Sequence, residues 1–296
     1  MAEEQELELT FWEHLDVLRG SIIRILGVSV ACGLVAFIFK EQLFNIVLAP
    51  KSSDFITYKL LGVDPFEVNL MNIGLTEQFM IHMKTALFFG ALCASPYILY
   101  VLYKFISPAL YEREREYAGR LVGSAYIMFI IGVLVNYFLI FPLTVRFLGT
   151  YQVSEEVANM LTLQSYMDTL LMMSLVFGIV FEIPVISWLL AIFGLIKSDW
   201  MKEFRKHAFV VILIIAAVIT PTADVFTLSM VSLPIWLLYE ASILVVSITE
   251  RDKKPQETED EEHVESKETT EQVTEETAPE DTDDPIFDTV DPQEIN

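Results

Sequence analysis

Cysteine is nearly absent from this 296-residue chain: only Cys32 and Cys93 occur, each inside an apolar run where a small polarizable side chain packs well. No disulfide framework and no zinc-type spacing can be drawn from two such residues. The four histidines, His14, His82, His207 and His263, stand far apart without ligand-spaced neighbours, so no metal site is expected. A glycine-rich phosphate loop, a dinucleotide fingerprint and a nucleophile elbow are all missing, which argues against an ATPase or hydrolase and against a bound cofactor. Bases are scarce as well, with 19 Lys and Arg against 41 Asp and Glu. Residues 251–296 hold 18 of those acids and only 4 of the bases. Extreme acidity therefore belongs to the tail, and the remaining body is far closer to neutral. The N-terminus carries Glu3, Glu4, Glu6, Glu8, Glu13 and Asp16 where a secretory signal would carry bases, so the first apolar helix is expected to be retained.

Apolar residues make up 53% of the chain, and the mean hydropathy is +0.47. That is more apolar surface than a soluble domain of this size can cover, and a lipid-facing exterior is the simplest outlet. Charge-free stretches recur at 25–39, 85–103, 121–141, 169–196 (broken by Glu182), 208–220 and 225–248 (broken by Glu240). Since about 20 residues cross a hydrocarbon core, these predict an all-α integral membrane protein of six transmembrane helices. The first span is completed by Ile22 and Ile23, with Arg24 and Lys40 snorkelling. An even number of spans puts both termini on one side. That side receives thirteen Lys and Arg residues, against Lys40, Lys51, Lys59 and Arg146 on the other, so the termini are expected to be cytoplasmic.

The chain divides into three regions. Residues 1–20 read as a cytoplasmic amphipathic segment, because Phe11, Leu15, Leu18 and Ile22 recur at helical spacing beside Glu13, Asp16 and Arg19. Residues 21–250 form the six-helix membrane domain. Residues 251–296 form a disordered acidic cytoplasmic tail with too few apolar residues for a core. Two outer segments, 41–73 and 142–164, are too long for tight turns. The first offers a short apolar helical face, Leu43, Phe44, Val47 and Leu48, stopped by Pro50, and is expected to cap the bundle. No internal repeat relates the first three spans to the last three, which weighs against an inverted-repeat transporter.

Glu182, in Phe181-Glu182-Ile183-Pro184, is the most informative single residue. An acid well inside a span is costly and faces a cavity, a partner or an ion path, unless it is satisfied within the bundle. Pro184 removes a backbone hydrogen bond and invites a kink beside it. The fifth span raises a question of length: 13 residues between His207 and Pro221 reach only about 20 Å. Either the bilayer thins there or the helix extends past its charged ends. On the cytoplasmic face, residues 107–116 mix three acids with bases, a pattern that by itself reads as a solvated helix start. Ser174, Met172 and Met173 read as helix-packing residues.

Taken in order, these residues resemble the twin-arginine translocase C subunit, the TatC family, over roughly residues 11 to 250. The matching pieces are His14-Leu15-x-x-Leu18-Arg19 before the first helix, Ala49-Pro50 in the first outer loop, and Lys84 opening the second helix. Next comes Phe105-Ile106-Ser107-Pro108-Ala109-Leu110-Tyr111 with Glu114, then Phe177-Gly178-x-x-Phe181-Glu182-x-Pro184 and Thr220-Pro221-x-x-Asp224.

The resemblance implies a concave six-helix bundle in the cytoplasmic (inner) membrane. It implies a signal-peptide receptor and core subunit of a machine that exports folded proteins by the proton-motive force. Asp16, Arg19, Phe105, Leu110 and Glu114 become candidates for the signal-peptide site, and Glu182 and Thr220 for intramembrane polar contacts with partner subunits. Pro50, Lys84, Pro184 and Asp224 become structural positions. Expected partners are single-span subunits of the TatA and TatB type, signal peptides with paired arginines, membrane lipid and further copies of the chain, with no nucleic acid. Two positions depart from the family pattern. Val17 stands where an acid is usual, leaving Asp16 and Glu13 as the nearest carboxylates and shifting the load to Glu114; Leu228 stands where a polar residue is usual. Two other readings of the same residues are a proton-coupled small-solute transporter in which Glu182 titrates, and a passive scaffold whose tail recruits a basic partner.

The orientation is directly testable. With Cys32 and Cys93 replaced, cysteines at Ser53 and Ser154 should react with an impermeant maleimide on intact cells, and cysteines at Ser198 and Ser266 only after permeabilisation. Labelling of position 198 from outside would overturn the assignment.

Overall fold

The computed structural model describes residues 11–62, 66, 68–106, 118–151, 161–220 and 224–276. Helix α1 (Phe11–Ile38) and helix α4 (Glu77–Ile106) form a long antiparallel pair. Small residues permit their close approach. A Cβ on Gly90 would sit 2.4 Å from the Gly33 nitrogen and 2.6 Å from the Ser29 carbonyl, so no larger residue fits at the crossing. His82 seals the outer end of the pair: its ring stacks on Phe37 at 3.9 Å, and its Nε2 lies 3.1 Å from the Phe37 carbonyl. Inside α4, Pro96 cannot donate to the Leu92 carbonyl, and the preceding Ser95 hydroxyl fills that acceptor at 2.7 Å.

The third span is α5 (Ala118–Val135), a π turn (Asn136–Ile140) and α6 (Phe141–Thr150). The fourth is α7 (Leu163–Val180) and, after a bend, α8 (Ile183–Ile192). A short α9 (Ser198–Glu203) leads to α10 (Arg205–Ile219), and α11 runs Val225–Glu276. Phe141, Met167, Met173 and Phe177 are fully buried in the central core, joined by Ile212 and Ala216 of α10 and Val231 and Ile235 of α11. Residues 251–296 form a unit of their own. Helix α11 continues into them, where composition predicts no regular structure; a Glu- and Lys-rich run has fair helix propensity even without a core.

Among the described residues, five helical stretches rather than the expected six are long and apolar enough to cross a bilayer: Leu15–Ile38, Glu77–Phe105, Leu121–Thr150, Leu163–Ile192 and Val225–Arg251. The remaining expected span is α10. Its 15 residues reach roughly 22 Å, short of a typical hydrocarbon core. The helix does extend past its charged end, starting at Arg205, but only by a turn. Among the described residues the all-α expectation holds except for a two-residue parallel pair, β1 (Leu70–Met71) with β2 (Leu161–Thr162), which ties the segment 41–73 to the segment 142–164. Glu77 reinforces that tie, accepting from the Ile73 and Gly74 amides at 3.2 and 2.8 Å through one oxygen and from the Gln164 amide at 3.1 Å through the other.

The first outer segment folds as α2 (Lys40–Leu48), a 3-10 turn (Ala49–Lys51) and α3 (Ile56–Leu60). Two prolines dictate how it docks. Pro142 cannot donate to the Phe138 carbonyl, and the π turn lets the Phe141 amide reach back to Asn136 instead; the Phe138 carbonyl accepts the Thr57 hydroxyl. Pro50 likewise supplies no amide to the end of α2. The carbonyls of Ile46 and Val47 accept the hydroxyls of Tyr137 (2.7 Å) and Tyr166 (3.0 Å). Tyr58 closes the arrangement, its single hydroxyl lying 2.8 Å from both proline carbonyls, Pro50 and Pro142. Burial pushes the Tyr58 phenol up, outweighing the opposing pull of Arg146, so the donor proton is retained.

Tyr58→Phe removes the one buried hydroxyl that the Pro50 and Pro142 carbonyls share and should destabilise the purified protein by about 1–3 kcal/mol, read as a lower melting temperature. Lys59→Ala, which removes only an exposed ion pair with Asp54, should change little. Equal melting temperatures for the two variants would refute the role given to the phenol.

Candidate functional site

The fourth span breaks where its sequence predicts. Phe181 and Glu182 form the bend, and Pro184, lacking an amide hydrogen, sits in the first turn of α8, where that lack costs least. Glycines fix what lies opposite. A Cβ on Gly178 would meet the Phe129 ring at 2.6 Å, and one on Gly132 would meet the Phe177 carbonyl at 2.5 Å. Helices α5 and α7 therefore cross in close contact just before the bend, which holds Phe181 and Glu182 against the third span.

Glu182 borders a cavity of about 460 Å³ between α4, α5 and the α7–α8 span. Its walls are almost wholly apolar, with Phe88, Leu99, Phe129 and Leu189 among them. Leu102, Leu175, Ile179 and Ile186 also line it and are each roughly half exposed, so the cavity faces the bilayer sideways. Two polar atoms there have no hydrogen-bond partner among the described residues: Glu182 Oε1 and the Tyr103 hydroxyl. An unsatisfied polar group in such surroundings favours any incoming group that can hydrogen-bond to it.

The expected signal-peptide residues are only partly within view. Asp16 and Arg19 are exposed on the first turns of α1, and Phe105 lies at the end of α4. Because α1 and α4 pair antiparallel, with Gly33 beside Gly90 and Phe37 beside His82, these three residues fall at one end of the bundle. Leu110 and Glu114 lie outside the described residues. Glu182 lines the lateral cavity together with Tyr103, whereas Asp16, Arg19 and Phe105 do not line it. Lys84 pairs with Asp168 at 2.8 Å, tying α4 to α7 through two half-exposed side chains. Pro50 is buried under the cap. Asp224 accepts the Thr227 amide at 2.7 Å and so caps α11. Thr220 is buried at the end of α10, its hydroxyl without a partner among the described residues, while Leu228 packs against the central core.

Sequence reasoning passed over Tyr103 and Asn136. Asn136 is fully buried and donates to Ser174 at 2.8 Å, linking the π turn to α7. A lone amide within the apolar run 121–141 is a legible signal of such an interhelical bond. Nothing local distinguishes Tyr103 from other interfacial tyrosines; its position opposite Glu182 exists only in the fold. No group of three His, Cys, Asp or Glu side chains with metal-binding geometry occurs among the described residues.

Among the described residues, five apolar helices long enough to span a bilayer, three of which line a cavity with one acid in its wall, define a multi-pass membrane protein. The profile of the family described as Sec-independent protein translocase protein (TatC) matches residues 13–234. The TatC protein of Blattabacterium sp. subsp. Periplaneta americana (strain BPLAN) is 31% identical over 258 residues, covering 82% of this chain and 97% of its own. That of Aquifex aeolicus (strain VF5) is 34% identical over 244 residues, covering 82% and 96%. A crystal structure of the twin-arginine translocase receptor TatC superimposes with a TM-score of 0.67 at 32% identity, covering 80% of this chain and 99% of its own. The chain belongs to the TatC family. It is a membrane component of a protein translocase and not an enzyme.

Two variants separate the possible roles of the bend. Tyr103→Phe removes a hydroxyl that bonds to nothing among the described residues, so the melting temperature should hold or rise. Glu182→Gln keeps hydrogen bonding without charge, whereas Glu182→Ala removes both. Export in cells should survive Glu182→Gln and fall with Glu182→Ala if the carboxyl docks a partner. Loss of export in both variants, at matched protein levels, would point to titration instead.

Proposed function

We propose that this chain is the signal-peptide receptor and core subunit of a twin-arginine-type translocase, working in the inner membrane with single-span partner subunits. It exports folded precursors at the expense of the proton-motive force. The observation that carries this reading is the likeness, along nearly its whole length, of a solved structure described as the twin-arginine translocase receptor. In this reading α10 serves as a sixth, short span, both termini are cytoplasmic, and residues 251–296 form an acidic cytoplasmic tail. The membrane part acts within a complex of further copies and partner subunits. Glu182 and Thr220 serve as polar docking points for those partners.

The receptor site joins Arg19, Asp16 and Phe105 with Leu110 and Glu114 of the first cytoplasmic loop. A carboxylate accepts two parallel bonds from a guanidinium, which a lysine ammonium cannot reproduce, so Glu114 would account for a preference for paired arginines. Exposed ion pairs contribute only about 0.2 to 1 kcal/mol, too little for selection. Shielding by Phe105, Leu110, Leu15 and Leu18 raises a charged hydrogen bond to about 1.5 to 3 kcal/mol. With Val17 at the position where the family usually has an acid, Asp16 and Glu13 are the nearest carboxylates, and binding leans more heavily on Glu114.

Glu114→Lys should therefore abolish photo-crosslinking of an arginine-pair precursor to the loop, whereas Glu112→Lys should leave most of it. Equal precursor binding by wild type and Glu114→Lys, at matched protein levels and low salt, would sink the assignment. Solute uptake by the purified chain alone, dependent on a proton gradient, would favour the transporter reading instead.

A further inference from the structure

A small second core sits where α8, α9 and α11 meet: Ala191, Met201, Ile243 and Val246 pack there. Three polar contacts pin the same short segment. The Ser198 amide and hydroxyl donate to the two oxygens of Glu250 at 3.0 and 2.6 Å. The Tyr239 hydroxyl donates to the Met201 carbonyl at 2.8 Å, and the Arg205 guanidinium meets Glu240 at 2.7 Å. One face of α9 is thus fixed to the bundle, which holds its other face open.

That open face is aromatic. Trp200 is 54% exposed and Phe204 39% exposed; their rings lie 4.7 Å apart, and Phe204 lies 5.4 Å from the His207 ring. Three rings held in file cannot collapse inward, because the segment is already tied down. Their level is that of the ends of two spans, Ile192 and Arg251, where rings with a polar edge sit at lipid headgroups. The charges beside them are unequal. Lys202 is paired with Asp199 at 3.0 Å and Arg205 with Glu240. Lys197 and Lys206 have no ion pair among the described residues, and Glu203 is the one unpaired acid between them. Helix α10 starts at this place and is short, so its basic first turn is drawn toward the hydrocarbon and its bases must reach back to the phosphate level.

We propose that the Trp200–Phe204–His207 face, with Lys197 and Lys206, is a seat for an anionic phospholipid of the adjoining leaflet. The rings lie at the acyl boundary, and the two ammonium groups bracket the headgroup. A base near a membrane surface favours anionic lipid on the order of fivefold, and Glu203 subtracts from that preference. The proposal needs only that the chain spans a bilayer; it stands apart from the signal-peptide reading.

The full-length chain carrying Trp12→Phe, Trp188→Phe and Trp236→Phe leaves Trp200 as its single tryptophan. Reconstituted into phosphatidylcholine vesicles doped with brominated phosphatidylglycerol or, separately, brominated phosphatidylcholine, Trp200 should be quenched at severalfold lower doping by the anionic lipid. Lys197→Gln with Lys206→Gln should bring the two lipids close to parity, and Glu203→Gln should widen the gap. Should the single-tryptophan chain fail to reconstitute, native mass spectrometry of the otherwise unaltered protein, counting retained phosphatidylglycerol with and without the two lysines, reads the same preference. Equal quenching by the two lipids, or a preference that survives loss of both lysines, overturns the proposal. In the mass-spectrometric arm, equal retention with and without the lysines does so.

Discussion

A backbone carbonyl that loses its amide partner inside a bilayer has no water to turn to, and this chain places prolines in several of its membrane-associated helices. Each freed or weakened position must find a donor from a side chain. Around the outer cap the solution is reciprocal. Thr57 and Tyr58 of the cap reach the carbonyls at the Pro142 kink, while Tyr137 and Tyr166 of the spans reach those at the end of α2, before Pro50. The cap is therefore not a loop resting on a finished bundle. It supplies hydrogen bonds that the third span needs, and the spans supply those that the cap needs. Net worth per bond is modest, but leaving such an acceptor empty costs more, so the arrangement is cooperative.

This coupling explains why the third span contains a π turn. An extra residue in the turn rotates the helix beyond it, presenting Tyr137 to α2 and Asn136 to Ser174 while leaving the Phe138 carbonyl toward α3. With α1 and α4 in close contact at Gly33 and Gly90, and α5 and α7 at Gly132 and Gly178, two helix pairs are defined by crossings at which Gly90, Gly132 and Gly178 leave no room for an added methyl group. The lateral cavity lies between these two rigid pairs.

Much of this was legible in the amino-acid order, though unevenly. Span positions, the capping role of residues 40–50, the bend at Glu182 and Pro184, and the family are all readable from apolar run length, proline placement and motif order. Span number did not resolve in the same way, because 208–220 is apolar but too short, and run length alone cannot separate a short span from a buried helix. The hydroxyl–carbonyl bonds were illegible for another reason: Thr57 and Phe138 are 81 residues apart, and nothing local to either marks the other. Among the site residues, Glu182 announces itself by its cost in an apolar run. Tyr103 does not, since an interfacial tyrosine is ordinary until the fold sets it beside an acid.

Where polar groups are satisfied and where they are not divides the molecule into two kinds of region. At the outer cap and at the α9 platform, the hydroxyls of Thr57, Tyr58 and Tyr239 and the carboxylates of Glu240 and Glu250 meet partners within the chain. The partnerless buried atoms among the described residues fall elsewhere: Tyr103 and Glu182 at the lateral cavity, the Asn136 carbonyl oxygen beside Ser174, and Thr220 with Thr227 flanking the turn between α10 and α11. A soluble protein would relieve such atoms with water. A bundle in lipid cannot do so cheaply, and keeping them empty works against stability. Regions the chain completes by itself serve as scaffold. The partnerless atoms at the cavity and at the turn between α10 and α11 are the places where another molecule can add hydrogen bonds that the described residues do not make.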